Sequence, residues 1–504
     1  MCTCSGLKMT DGGTDRSMSA TGMFPIHSSL YSQHVQNHVE RVSVKVCHIM
    51  TLLGYGEEIR RRRIEKFREC DVLWNADSIN RHLITVSSKA EGLMLWNAES
   101  INRHLITVGS KAEGLTSWRE SDYDHLHVLN KVLCVETGVH LNIIPDDLEV
   151  CRMDTRDVYP GHCKILLLPD RLNSTRTNVF NNVVCCDKQG NNMISSGLFL
   201  DKMSKFRGEG VGPLKRAGPS LPRSDEKGLK VDQVFAVNCL CPSILQRWAQ
   251  RPRLWPPAEV VKKVVSLGSV VTAVGFKGSK NNEFEWRICF NMGETELVHN
   301  LNITQAKVYV ILKMIVKEVL KPNNKEITTF VMKNIILWQA ERNSPSLFQE
   351  KKLIYWLHDA LGKLLTAISS TQLSYYMIPE RNLMAACGLQ AEQKRKWVED
   401  ITNMMEEGPS VILRLPRIRQ AVICYPQPML WFSRRRMEAE ILILEWMRRD
   451  LQCRCENGRY DIDDIILVEI DRRQDEIAKE VYDRMSVEGS AVNTVNDVYF
   501  RLLM

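Results

Sequence analysis

Along the 504-residue chain the spacing of hydrophobic and polar positions changes several times, and each change marks an element. Residues 1–28 hold Gly, Ser, Thr and Asp without an apolar period, which predicts a flexible leader. Val35, Val39, Val42, Val46 and Met50 then recur at near-helical spacing, predicting a long amphipathic helix from Leu30 towards Gly54. A second helix is predicted over residues 57–70, opening with acids and carrying Arg60, Arg61, Arg62 and Arg63, with Lys66 and Arg68 behind them. From about 105 to 290, short β-rich runs at 105–108, 164–168, 234–237, 270–274 and 286–291 alternate with polar or Gly/Pro-rich stretches, of which 208–230 reads as a mobile loop. Past Asn300 the period is helical: Val308, Ile311, Leu312, Ile315 and Val319 mark one helix, and Leu353, Trp356, Leu357, Ala360, Leu361 and Leu364 another. The helical pattern ends near Glu407. Residues 408–504 form a tail whose pattern assigns it no role: a β-like run at 410–415, the basic run Arg434, Arg435 and Arg436, a helical stretch at 437–451, and acids at 461–464.

A duplication interrupts this order. Residues 73–93 read LWNADSINRHLITVSSKAEGL and residues 95–115 read LWNAESINRHLITVGSKAEGL, differing at Asp77 against Glu99 and Ser87 against Gly109. Two copies are too few for a solenoid, which needs at least three units to bury a core. A recent tandem duplication or a doubled exon explains them, and one copy is expected to fill the intended place in the fold.

Composition narrows the class. At roughly 150 residues per domain the length corresponds to about three domains or two large ones. With 44% hydrophobic residues the chain has enough apolar material for sizeable cores. No run reaches the roughly 18 apolar residues that cross a bilayer, and the first 20 residues are polar, so a cytoplasmic protein is expected, with the nucleus as a second placement and no membrane partner. The 16 cysteines are sparse, which suits reduced thiols. Cys2/Cys4, Cys185/Cys186, Cys239/Cys241 and Cys453/Cys455 lack paired C-x2-C spacing, so no zinc is expected. The net charge of +7 decides nothing by itself.

Candidate chemistry begins after the second copy. GSKAEG, residues 109–114, is followed by ESDYDHL, residues 120–126, with Asp122 and Asp124 two apart. On a strand those carboxylates share a face, a hard-oxygen pair suited to Mg²⁺, while the Gly109-Ser110 turn offers N–H groups and a hydroxyl to phosphates. Asp232, opening VDQVFAV, stands where a neighbouring strand supplies a third carboxylate. The bland reading of D-x-D is a solvated strand edge or turn. His125 and His127 alternate with the acids and read as packed side chains. Arg247, Arg251 and Arg253, interleaved with Trp248 and Trp255, read as core anchors before they read as a phosphate cradle.

These blocks, together with RWAQRPRLWPP at 247–257, EWRICFNMGETELV at 285–298 and YYMIPERNLM at 375–384, resemble in order the Mab-21-like family, related to cyclic GMP-AMP synthase and its receptor-like relatives. The resemblance covers about residues 30–405. It implies an α+β fold: a nucleotidyltransferase-like mixed sheet over residues 29–300, then an all-α helix-hairpin-helix domain over 301–407. It further implies that Gly109 and Ser110 hold a nucleoside triphosphate, that Asp122, Asp124 and Asp232 hold two Mg²⁺ or Mn²⁺ ions, and that Lys313 and Thr329 act beside Phe330, which stacks on the base. The substrates would be ATP and GTP and the product a cyclic dinucleotide of innate immunity, made when double-stranded RNA or another nucleic acid binds Arg60, Arg61, Arg62 and Arg63. Three departures stand beside it. The duplication precedes the Gly-Ser turn; after His299 the cysteines of the synthase's zinc thumb are missing; and many family members are catalytically silent. Two readings therefore remain, a nucleotidyltransferase and a silent nucleotide- or protein-binding scaffold.

Overall fold

A computed structural model describes residues 33–89, 103–168, 178–186, 190–205, 218–224, 230–322, 326–457, 463–489, 498 and 502. The expected leader at 1–28 lies outside the described residues, as do the junction of the two repeat copies and most of the loop expected at 208–230. Helix α1 (Gln33–Met50) turns Val39, Val42, Val46 and Met50 towards the core and leaves Arg41, Lys45 and His48 outside. A π-helical turn, Thr51–Tyr55, breaks at Gly54 (φ +87°) and hands the chain to α2 (Glu57–Lys89).

The two repeat copies fold differently. Residues 81–86 and 103–108 are the same hexapeptide, RHLITV, yet the first lies in α2 and the second is strand β1 (Arg103–Val108). Tertiary contacts decide between them. The second copy pairs antiparallel with β2, and α2 grips its free edge: Asn75 Nδ2 donates to the Leu105 carbonyl (2.9 Å), while Asp71 accepts from Thr107 N–H (2.9 Å) and Oγ1 (2.6 Å).

After β1 come the one-turn α3 (Gly109–Ala112), the long β2 (Tyr123–Glu136), β3 (Glu149–Asp154), β4 (His162–Leu167), β5 (Val184–Cys186), β6 (Asn192–Ile194) and α4 (Ser196–Lys205). Next are β7 (Ser220–Ser224), β8 (Lys230–Leu240), α5 (Pro242–Gln250), α6 (Ala258–Leu267), β9 (Ser269–Thr272), β10 (Glu285–Cys289) and α7 (Asn291–His299). Strand β7, in the region expected to be loop, pairs with β8. The sheet is mixed: β2 runs parallel to β3 and β8, whereas β3–β4, β4–β10, β10–β9 and β9–β8 are antiparallel, so the pairings close on themselves. Short β-branched runs supply the strands, and Val132, Ile165, Val237, Val271 and Ile288 are buried between sheet and helices.

The helical half consists of α8 (Ile303–Met314), α9 (Thr329–Arg342), α10 (Leu353–Ser370) and α11 (Ala391–Glu406). Helix α8 starts with a reciprocal cap in which Asn302 and Gln305 each bond the other's backbone N–H, and it widens into a π-helical end at Ile315–Leu320. The β-like run expected at 410–415 is instead the 3₁₀ helix Gly408–Arg414, because Val411 and Ile412 are needed together on one side, against the helical core. It leads to α12 (Pro416–Cys424), α13 (Met429–Asn457) and α14 (Ile465–Val487). One hydrophobic core runs from Val46 through the sheet and α8–α11 to Met429, so neither residue 300 nor residue 407 is a break in packing. Helix α13 lies along α2, where Leu444 and Met447 meet Phe67 and Tyr123. Among the described residues no helix is long and apolar enough to cross a membrane, and their cysteines are free thiols.

Candidate active site

Two glycines shape the turn after β1. Gly109 has φ +70°, and a Cβ there would stand 2.3 Å from Asp124 Oδ2, so glycine is required by both the backbone and the approach of the carboxylate. Gly114 has φ +69°, and its Cβ would stand 2.6 Å from the Arg60 carbonyl oxygen on α2. Between them Glu113 N–H donates to the Gly109 carbonyl and Leu115 N–H to that of Ser110, each at 3.0 Å. Lys313 Nζ on α8 donates to Ser110 Oγ at 2.7 Å, tying the Gly-Ser turn to the helical half. Burial lowers the Lys313 ammonium pKa.

Asp124 lies at the centre of the strands that meet here. Its register partner on β8 is Asp232 and on β1 is Val108, so the two aspartates are neighbours on one face of the sheet. Asp122 is exposed, one residue before β2. Burial raises the Asp124 carboxyl to about 6; the negative charges of Asp232 and then Asp122 push it the same way, and Lys333 opposes them. Crowded hard-oxygen donors of this kind fit a divalent cation such as Mg²⁺ or Mn²⁺ held by one or two carboxylates, with phosphate and water completing its shell. Among the described residues no three Asp, Glu, His or Cys side chains gather closely enough to hold a metal by themselves. His125 and His127 point to the other side of β2; burial lowers their imidazoles to about 4 and about 3, and His127 stacks on Phe235 with ring centroids 5.1 Å apart. They are packed, neutral side chains.

Helix α9 brings charge that the sequence pattern did not single out. Thr329, its first residue, is exposed, and Phe330 is half-buried with its ring centroid 5.6 Å from that of Tyr375. One turn on, Lys333 Nζ lies 2.7 Å from Glu113 of the Gly-Ser segment and 3.4 Å from Glu294 of α7, which also accepts from Tyr375 Oη at 2.6 Å. Burial alone would depress Lys333, but Glu113 and Glu294 outweigh it and hold the ammonium well above its usual range. Glu113 lies within GSKAEG, but its pairing with Lys333, remote in the chain, leaves no trace in the sequence.

The basic run corrects an expectation. Arg60 is buried and donates to the backbone carbonyls of Val298 and Leu301, and Arg63 is buried in a bidentate pair with Glu440, both bonds at 2.7 Å. Neither can reach a nucleic acid, because α2 carries them on the face that packs inward. Arg61 and Arg62 face outward, near Glu65 and Glu58. His299 is held by partners within the fold as well. A carbonyl can only accept, so its Nε2–H donates to Ala112 O (2.8 Å), leaving Nδ1 to accept from Arg68 (2.9 Å). Trp248 and Trp255 are core residues, and Arg251 pairs with Glu341 (2.7 Å) beneath the rings of Trp338 and Tyr376. A cleft of about 690 Å³ between α1, Gly408–Arg414 and α12 includes none of the site residues.

Residues 304–403, which hold Lys313, Thr329, Phe330 and Lys333, match the model of the Mab-21 protein HhH/H2TH-like domain. The chain therefore carries a Mab-21-type helical domain over these residues. A mixed sheet followed by an all-helical domain fits that match. The matched helices contribute two lysines that touch the Gly-Ser segment, Lys313 at Ser110 and Lys333 at Glu113.

Proposed function

We propose that this chain is a Mab-21-like, metal-dependent nucleotidyltransferase of the cyclic GMP-AMP synthase-like type, joining nucleoside triphosphates into a cyclic dinucleotide. The observation that carries the reading is the placement of Asp124 beside Asp232 and against Gly109, next to a Ser110 hydroxyl held by Lys313. The N–H groups and hydroxyl of the Gly-Ser turn hold the triphosphate, Lys313 orients Ser110, and Phe330 offers a ring for the base. Asp122, Asp124 and Asp232 would hold Mg²⁺ or Mn²⁺. When bound, the cation supplies charge neutralisation, activation of the attacking ribose hydroxyl and stabilisation of the leaving pyrophosphate. Double-stranded RNA or another nucleic acid is the proposed activator. With Arg60 and Arg63 buried, its contacts on the basic run fall to Arg61 and Arg62.

The absence of a preformed three-ligand cluster among the described residues favours a second reading, a nucleotide-binding scaffold without turnover. Incubation with ATP, GTP and Mg²⁺ or Mn²⁺, with and without double-stranded RNA or DNA, separates the two by mass spectrometry of the products. A dinucleotide that disappears in Asp124→Asn supports the enzyme. Nucleotide binding without product under every activator supports the scaffold.

A further inference from the structure

The exposed Asp122 is suspended between anchors that the C-terminal helices provide. Two residues before it, Glu120 accepts from Tyr55 Oη at 2.8 Å and from Arg417 of α12, and Arg436 of α13 stands 3.6 Å from the same oxygen. The other Glu120 oxygen accepts from Ser117 N–H at 2.8 Å and closes the turn that delivers Asp122. Arg417 also donates to Tyr55 Oη (2.8 Å), Arg436 to the Leu53 carbonyl, and Ser433 Oγ to the Leu52 carbonyl (2.8 Å). One residue after Asp122, Tyr123 is buried against Leu444 and Met447 of α13, and Trp118 Nε1 lies 2.9 Å from Met447 Sδ. From the opposite side Lys111 Nζ, next to Ser110, donates to the carbonyls of Ser117 (3.0 Å) and Trp118 (2.6 Å).

Residues 115–121 are thus gripped by the Gly-Ser turn on one side and by the tail on the other. Dispersion and apolar burial would suffice to dock α12 and α13. Two arginines converging on one buried carboxylate add direction, since a guanidinium fixes its partner's orientation as well as its distance. We infer that Arg417 and Arg436 are positioning residues: through Glu120 they set Asp122 relative to Asp124 and Asp232, and the C-terminal helices are thereby a working part of the cation-holding site. This inference rests on the nucleotidyltransferase reading.

Mn²⁺ titration of the full-length chain, followed by the electron paramagnetic resonance signal of free Mn²⁺, tests it without any turnover. Arg417→Met is expected to weaken Mn²⁺ binding by about 10- to 100-fold, the usual effect of removing a group that orients a ligand, and Arg417→Lys to restore part of it. Ile144→Ala, which opens a small cluster shared with Val135 and Val150 and holding no residue of the site, serves as the stability control, with a lower melting temperature and unchanged Mn²⁺ affinity expected. If Arg417→Met does not fold, Arg417→Lys carries the test, with a several-fold loss expected. Wild-type affinity in the Arg417 variants, or an equal loss in Ile144→Ala, would overturn the positioning role and leave the nucleotidyltransferase reading standing. Wild-type affinity in Asp124→Asn would overturn both.

Discussion

At the scale of single residues, the site concentrates cost in two positions. Asp124 is crowded by burial and by Asp232 and Asp122, which raises its carboxyl to about 6 from an ordinary 3.8. A raised acid stabilises the fold while protonated, so its contribution is complete below the unfolded value and is lost as pH rises through about 6. Asp124→Asn should therefore stabilise the metal-free protein at pH 7.5, by at most about 3 kcal/mol, and raise its melting temperature. The advantage should shrink towards zero near pH 4, and an equal gain at both pH values in thermal melts would refute the assignment. Gly109 is the second costly position. Gly109→Ser installs the residue found at the matching place in the first repeat copy, Ser87. It pays for left-handed backbone, about 1 kcal/mol or more, and drives a Cβ into Asp124. Gly138→Ser has a similar φ (+97°) with nothing within 4 Å, and should melt higher than Gly109→Ser. The glycine, the serine and the acids were legible in the sequence because their chemistry is local. Lys333 and Glu113 were not, because a buried ion pair between positions 220 residues apart leaves no periodic trace.

Elements show how far one sequence can be bent by its surroundings. RHLITV is helical at 81–86 and a strand at 103–108, so its own preferences do not choose. The second copy is distinguished by the glycine after it, which can turn beneath Asp124, and by the free edge of β2 beside it. The grip on β1 comes from Asp71, which precedes the duplication, and Asn75, which lies near its start. Deleting residues 77–98 leaves both, together with an uninterrupted second copy. Five residues, 76 and 99–102, then span from Asn75 to the start of β1, within the usual length of a connection. The shortened chain should keep its far-ultraviolet circular dichroism apart from lost helix and melt cooperatively within a few degrees of the parent; a collapse of the transition would show that the first copy holds up the sheet. Surroundings also decide residues 410–415. Their apolar run looked like a strand because Val411, Ile412 and Leu413 are consecutive, but only the first two are buried, a grouping that a 3₁₀ turn provides and an alternating strand does not.

At the scale of the whole molecule, the succession of a mixed sheet and then helices was legible because hydrophobic period switches from strand-like to helix-like near Asn300. The role of residues 408–504 in packing was not, because it is written in partners far away. Val411, Ile412, Leu415, Ile418 and Ala421 complete the core that also holds Ile401 and Met404, and Glu440 neutralises the buried Arg63 of α2. These contributions differ in kind, and truncation should separate them. Ending the chain after residue 457 removes α14, uncovering Ala439 and Ile443 but sparing the core, the Arg63–Glu440 pair and the arginines at Glu120. That protein should fold cooperatively at a lower melting temperature. Ending after residue 428 also removes α13, with Glu440 and the Leu444 and Met447 contacts, and opens to water the face of α2 that carries Arg63 and Phe67. Ending after residue 407 opens the common core as well. If the order holds, cooperative unfolding survives the first cut, is marginal after the second and is absent after the third, by calorimetry and limited proteolysis. A fully cooperative 1–407 would mean that the helical half is complete without the tail, and that the shared core is a docked surface instead of a single folding unit.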